Sequence, residues 1–285
     1  MINLLLAIVF SSLLYIIFKL YSKYEVNTFQ AIVFNYIFAF LVGISVSDEN
    51  LEIQYLPNKP WLIGSIILGA LFILVFNILG KTSQENGVSV ASVSSKMSMI
   101  IPILFGIFFF KETITFEKIT GIIIALIAVY FTSKKETGKI EVKNFIFPIL
   151  LFFGAGIVDT SMNYLQHTYL KDSEIALFSA TTFLAAFIFG ILIFIIKFIK
   201  GNFKLNIKSI VGGLFLGIPN YYSMYFLIKA LQSKNLESAT VFTLINIGII
   251  LLTTFFGILL FKEKLLKQNY FGIALAIIAV ILVTL

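Results

Sequence analysis

Two ionisable side chains stand where charge is expensive. Lys96 lies nine residues into an apolar stretch running from about 87 to 110. At 1.5 Å of rise per residue that is about 14 Å deep, close to the middle of a bilayer. An ionised lysine there costs about 3 kcal/mol on insertion scales, so it needs a water-filled cavity or a partner. Ser89, Ser92 and Met99 share its helical face, with Ser95 beside them. Two chemistries fit this pattern: a cationic anchor for a solute with a negative group, or an ion pair that fixes helix packing. Asp159 is the natural partner for the second, being the one acidic residue well inside an apolar run, with Asn163 and Gln166 following at i+4 and i+7. Pairing makes both charges tolerable. A carboxylate at such a position also suits proton coupling.

Asn77, Asn220, Tyr222 and Asn246 complete the candidate set with Lys96, Ser92, Asp159 and Asn163. Each is a polar side chain inside an apolar segment, fit either to line a cavity or to hydrogen-bond between helices. Pro219 precedes Asn220 and removes a backbone donor, as at helix bends.

Other chemistries find no residues to carry them. The chain has no Cys and one His, so thiol nucleophiles, disulfides and thiolate metal sites are out. Neither a zinc-binding HExxH, a phosphate-binding GxxxxGK nor a GxSxG nucleophile turn occurs. No cofactor or metal is expected. The +7 formal charge is made wholly of lysines, spread between apolar runs. That distribution orients a membrane protein and does not build a nucleic-acid surface.

Of the 285 residues, 59% are hydrophobic and 12% charged, about half the charge of a soluble domain. Apolar runs of this length must satisfy their backbone groups internally, which selects helices, and no period-two alternation suggests a barrel. Ten spans are predicted: about 2 to 19, 27 to 46, 61 to 81, 87 to 110, 114 to 133, 144 to 166, 174 to 199, 208 to 231, 237 to 261 and 268 to 285. The first lacks a basic leader and a small-residue cleavage site, and reads as a retained helix.

The chain also repeats itself. Residues 106 to 129 read GIFFFKETITFEKITGIIIALIAV, and 257 to 280 read GILLFKEKLLKQNYFGIALAIIAV. Gly106, Phe110, Lys111, Glu112, Gly121, Ala125 and Ala128 match Gly257, Phe261, Lys262, Glu263, Gly272, Ala276 and Ala279 at one constant offset of 151. Upstream, GSIILG from Gly64 echoes GGLFLG from Gly212. Two five-helix halves follow, 1–133 and 144–285, joined by a linker at 134–143. An odd number of helices per half makes the second copy enter the membrane from the opposite side, the inverted-repeat plan of secondary transporters.

On the FKE triplets and the glycine nine residues after each Glu, the chain resembles the EamA-type permeases of the drug/metabolite transporter superfamily. The resemblance implies ten helices in two inverted repeats and transport of a small metabolite. It departs at one place: relatives often carry Pro in the fourth helix of both repeats, whereas Pro102 here has Thr253 as its counterpart. The two fourth helices are therefore expected to bend differently. Glu112 and Glu263 are expected to be architectural, capping the N-terminus of the helix that follows each.

Connections after odd-numbered helices carry most of the lysines, which by the positive-inside rule places them in the cytoplasm and both termini outside. The resemblance implies the opposite placement, and orientation stays open. The expected protein is a multi-pass inner-membrane permease working by alternating access through a central cavity between the halves. Its partners are membrane lipids and a small solute, with Lys96 tilting the choice toward one that has a negative group; nucleic acid is not among them. Two other classes are an intramembrane enzyme acting on a lipid-linked substrate and a non-transporting scaffold or sensor. The first would need a clustered nucleophile, metal or acid pair, and the second would carry an appended soluble domain.

Overall fold

The computed structural model describes residues 2–46, 53–109, 115–134, 143–170, 174–200, 205–231 and 238–284. These form α1 (Ile2–Lys23), α2 (Thr28–Val46), a 3-10 turn (Ile53–Asn58), α3 (Leu62–Glu85), α4 (Val88–Met97), α5 (Ile100–Phe109), α6 (Phe116–Thr132), α7 (Lys143–Tyr169), α8 (Ile175–Ile199), α9 (Ile207–Leu231), α10 (Ser238–Phe261) and α11 (Lys267–Thr284). With α4 and α5 taken as one span, ten spans appear among the described residues. Eight of them are long and apolar enough to cross a membrane. α6, with 17 residues, is short for a span. Helices outrun the apolar runs that announce them: α1 continues past Lys19 to Lys23 and α3 past Lys81 to Glu85. A lysine ends hydrophobicity without ending helical hydrogen bonding: Lys19 donates its ammonium to the Gln84 carbonyl at 2.8 Å, and the ammonium of the exposed Lys81 lies 5.2 Å from the centre of the Phe147 ring. Large apolar side chains such as Phe108, Phe116, Ile63 and Ile199 lie exposed on the spans, as a lipid-facing surface requires.

The fourth span differs from the sequence expectation of one helix over 87 to 110. It breaks at Ser98–Met99, between α4 and α5. Pro102 is the cause. It lacks the N–H that would bond the Ser98 carbonyl, and that carbonyl instead accepts from Ile101 N–H at 2.9 Å. The repeat-equivalent α10, with Thr253 in place of Pro, runs unbroken from Ser238 to Phe261. The predicted divergence of the two fourth helices is thus present.

The chain forms two compact units, each drawing on both sequence halves. The first comprises Met1–Leu20, Ile78–Ile157 and Tyr222–Leu285. Its centre is the pair α6 and α11. A Cβ placed on Gly121, early in α6, would lie 2.5 Å from Val283 near the end of α11. One placed on Gly272, early in α11, would lie 2.7 Å from Thr132 at the end of α6. Since 121 + 151 = 272 and 132 + 151 = 283, the two contacts are the same contact made twice. Repeat-equivalent helices therefore pack antiparallel and reciprocally, as a local two-fold relation requires. Ala125, Ala128, Ala276 and Ala279 fill the seam, all essentially inaccessible. Lipid tails are as apolar as the helices, so close backbone approach and dispersion hold such a pair together, and small residues permit it.

The second unit comprises Tyr21–Asn77 and Val158–Tyr221. Here the GSIILG and GGLFLG echo finds its meaning. Gly69 of α3 lies against Ala185 and Ala186 of α8, while Gly217 of α9 lies against Asn35, Phe38 and Ala39 of α2. Each half's third helix packs on the other half's second helix. Asn220 Nδ2 donates to Asn35 Oδ1 at 3.2 Å in the same seam. Lys59 and Glu174 form an ion pair at 2.6 Å, and the buried Trp61 donates its indole N–H to the other Glu174 oxygen at 3.1 Å. Glu174 thereby pins the start of α8 to the chain entering α3.

Candidate functional site

In the first unit, polar groups gather along α4 and the facing side of α10. Ser92 is fully buried; its hydroxyl accepts from Thr253 Oγ1 at 2.7 Å and donates to the Ser89 carbonyl at 3.0 Å. It serves helix packing in this arrangement. One turn further, Lys96 is half-buried on the last turn of α4. Among the described residues its ammonium has no hydrogen-bond or ion-pair partner. The Ser98 hydroxyl turns back to the Ser95 carbonyl at 2.5 Å, tightening the break just past the lysine. Asn246 of α10, nearly buried, directs its amide at the Met99 sulfur at 3.8 Å, a weak contact that leaves capacity for a better acceptor. The Asn246–Met99 contact therefore lies at the α4–α5 break, just past Lys96 in the last turn of α4. Tyr222 also belongs to this unit, half-buried, stacked on Phe226 and tilted against Phe10 at centroid distances of 5.8 and 5.4 Å.

The remaining candidates fall in the second unit. Asn77 donates to the Ile73 carbonyl one turn back at 2.7 Å, satisfying its own helix. Asn220 is buried on Asn35. Asp159 and Asn163 are exposed on one side of α7. Gln166, which continues that face in the sequence, has no described side chain.

Glu263 was expected to cap the helix that follows it. It caps α4 instead. Its Oε1 accepts Val88 N–H at 2.6 Å, and Oε2 accepts the Ser89 hydroxyl at 3.0 Å and Ser89 N–H at 3.5 Å. A carboxylate on two orphan N–H groups is a charge-assisted cap, favoured again by the helix dipole. Two glycines make room for it: a Cβ on Gly87 would sit 2.8 Å from one oxygen, and a Cβ on Gly257 2.6 Å from the other. Gly87 also holds φ +108°, which side-chain-bearing residues rarely adopt. Glu112 and its neighbours 110–114 lie outside the described residues. Sequence reasoning missed Thr253 and Asn269. The Asn269 amide donates to the carbonyls of Phe131, Thr132 and Lys134, closing the end of α6. No motif marks either, because each acts across the fold.

These observations define a multi-pass helical membrane protein whose equivalent helices pack reciprocally across two sequence halves, with a cationic side chain at a broken span. A family model for the EamA-like transporter family matches residues 1–134 and 145–285, and the chain belongs to that family. It is 31% identical over 291 residues to an uncharacterized protein of Haemophilus influenzae, with 98% of this chain and 96% of that protein aligned. A solved crystal structure of a protein 13% identical superposes with a TM-score of 0.55, covering 98% of each chain. At that identity the likeness concerns the fold alone.

Proposed function

We propose that the protein is a secondary transporter of the inner membrane that moves a small metabolite by alternating access, through a central cavity between two inverted five-helix repeats. The observation that carries this reading is Lys96, a half-buried cation without a described partner, seated at the break of a membrane span. Discontinuous helices are where transporters of this plan place substrate sites. A lysine retained at such a cost supports a solute with a negative group, with Asn246 and Met99 beside the anchor. Lys96 has Ile247 as its repeat counterpart. One-sidedness suits a substrate contact better than a feature both halves of the fold require.

The test is solute counterflow in vesicles reconstituted with the intact chain, comparing Lys96→Met with the parent across carboxylate, phosphate and neutral solutes. The variant keeps length and apolar packing and removes the charge, so it is expected to fold and to lose uptake of the anionic class. Normal counterflow by Lys96→Met would end the anchor role. Misfolding of Lys96→Met rescued by Asp159→Asn would instead assign the pair to structure.

A further inference from the structure

Three helix ends of the second unit, those of α1, α2 and α9, meet around a groove of about 740 Å³, lined by Tyr21, Ser22, Glu25, Asn27, Gln30 and Asn206 among others. The joint is well fastened. Tyr21 Oη donates to the Gly212 carbonyl at 2.7 Å, Asn27 N–H to Ser209 Oγ at 3.0 Å, and Asn206 N–H to the buried Gln30 Oε1 at 3.0 Å. The end of α8 joins through Lys197, whose ammonium lies 4.1 Å from the centre of the Phe29 ring, next to Gln30. Lys23 at the end of α1, Lys197 and Lys200 at the end of α8 and Lys208 at the start of α9 are all exposed. One carboxylate, Glu25, stands among them, 3.8 Å from Lys208. Beside the lysines, Phe198, Ile199, Leu205 and Ile207 are strongly exposed.

Exposed ammoniums at these helix ends, a polar groove beside them and bare apolar side chains alongside match the layers of one molecule: phosphate, polar headgroup and acyl chain. We propose that this end of the unit is a binding site for an anionic phospholipid with a hydroxyl-bearing headgroup, of the phosphatidylglycerol kind. The lysines take the phosphate, as basic clusters at the membrane surface do. The Asn27 and Asn206 side-chain oxygens accept the Gln30 and Lys208 N–H groups at 3.1 and 2.9 Å, which leaves their amide N–H groups, with the Glu25 carboxylate, for headgroup hydroxyls; Glu25 is an acceptor that a polyol satisfies and a bare phosphate does not. The acyl chains lie along Phe198, Ile199, Leu205 and Ile207. The site is independent of the solute path proposed above.

Thermal unfolding of the delipidated full-length chain tests it, in the presence of phosphatidylglycerol, phosphatidylcholine or glycerol 3-phosphate. Phosphatidylglycerol is expected to raise Tm above the phosphatidylcholine value by about 3 °C or more, and glycerol 3-phosphate to leave it unchanged. Lys197→Gln/Lys208→Gln is expected to lose most of the phosphatidylglycerol increment while matching the parent in phosphatidylcholine. Lys264→Gln/Lys267→Gln, an equal loss of exposed charge elsewhere, is expected to keep it. Should the first pair fail to fold, Lys197→Arg/Lys208→Arg in its place must keep the full increment, and its loss there counts against the site. Equal shifts with both lipids, equal losses in both glutamine pairs, or full stabilisation by glycerol 3-phosphate would each overturn the proposal, the last by assigning the groove to a soluble phosphate.

Discussion

The Glu263 carboxylate meets the Val88 amide at 2.6 Å across 175 residues of sequence. That contact ties the end of α10 to the beginning of α4, the helix that carries Lys96. Glu263 is itself held from behind, its N–H donating to the Gly257 carbonyl at 3.1 Å after Lys262 turns the chain at φ +52°. Removing the carboxylate leaves the first N–H groups of α4 without their acceptor in a place poor in water. Glu263→Ala is therefore expected to cost about 2 kcal/mol, and Glu263→Gln about half as much because its amide oxygen still accepts one bond. Thermal unfolding in detergent checks this. Unchanged Tm for Glu263→Ala would show that the cap contributes nothing.

Gly257 is small for the sake of that carboxylate. Gly257→Ala is expected to destabilise the parent by about 1 kcal/mol or more and to be nearly neutral where Glu263→Ala has already emptied the space. A double-mutant cycle of the four proteins measures the coupling. Additive effects would mean that Gly257 answers to another constraint.

The reciprocal seam of α6 and α11 makes a geometric prediction, convenient in a chain with no native Cys. Ala125→Cys with Ala279→Cys, and separately Ala276→Cys with Ala128→Cys, should each form an intramolecular disulfide on mild oxidation, since the antiparallel register fixed by Gly121 on Val283 and Gly272 on Thr132 sets each pair face to face. Gly121→Cys with Thr132→Cys should not, the two being 11 residues apart on one helix, about 16 Å. Peptide mapping by mass spectrometry reads the outcome. Bridging of only one of the two matched pairs would break the symmetry argument.

Much of this fold is legible in the sequence because the bilayer writes it in long apolar runs, and the duplication shows in FKE and in the glycines that let helices touch. Polar ties across the fold are not legible. Glu263 was recognisable as a cap, yet its partner lies 175 residues upstream and not in the next helix, because tertiary packing brings α4 closer than sequence order suggests. Ser92 and Lys96 share a helical face, but one is spent on Thr253 and the other is not. Helical periodicity identifies a face without identifying its neighbour. That the fourth span bends is legible from Pro102, whose repeat counterpart is Thr253; that it breaks outright at Ser98–Met99 is not, because its apolar length fits a single helix.

That break supplies the last prediction, which rests on the proposed transport function. Pro102→Ala restores an N–H that can reach the Ser98 carbonyl and removes the ring that blocks it, so α4 and α5 should join into one helix resembling α10. Interior proline costs a helix about 3 kcal/mol, so the variant should unfold at the same temperature as the parent or a higher one. Transport should suffer all the same, because a continuous helix removes the break and rotates Lys96 relative to Met99 and Asn246. Counterflow of the anionic solute is expected to fall several-fold while Tm holds or rises, a combination that simple misfolding cannot produce. If Pro102→Ala carries solute at the parental rate, the broken helix is a packing solution alone, and the site must be sought on another span.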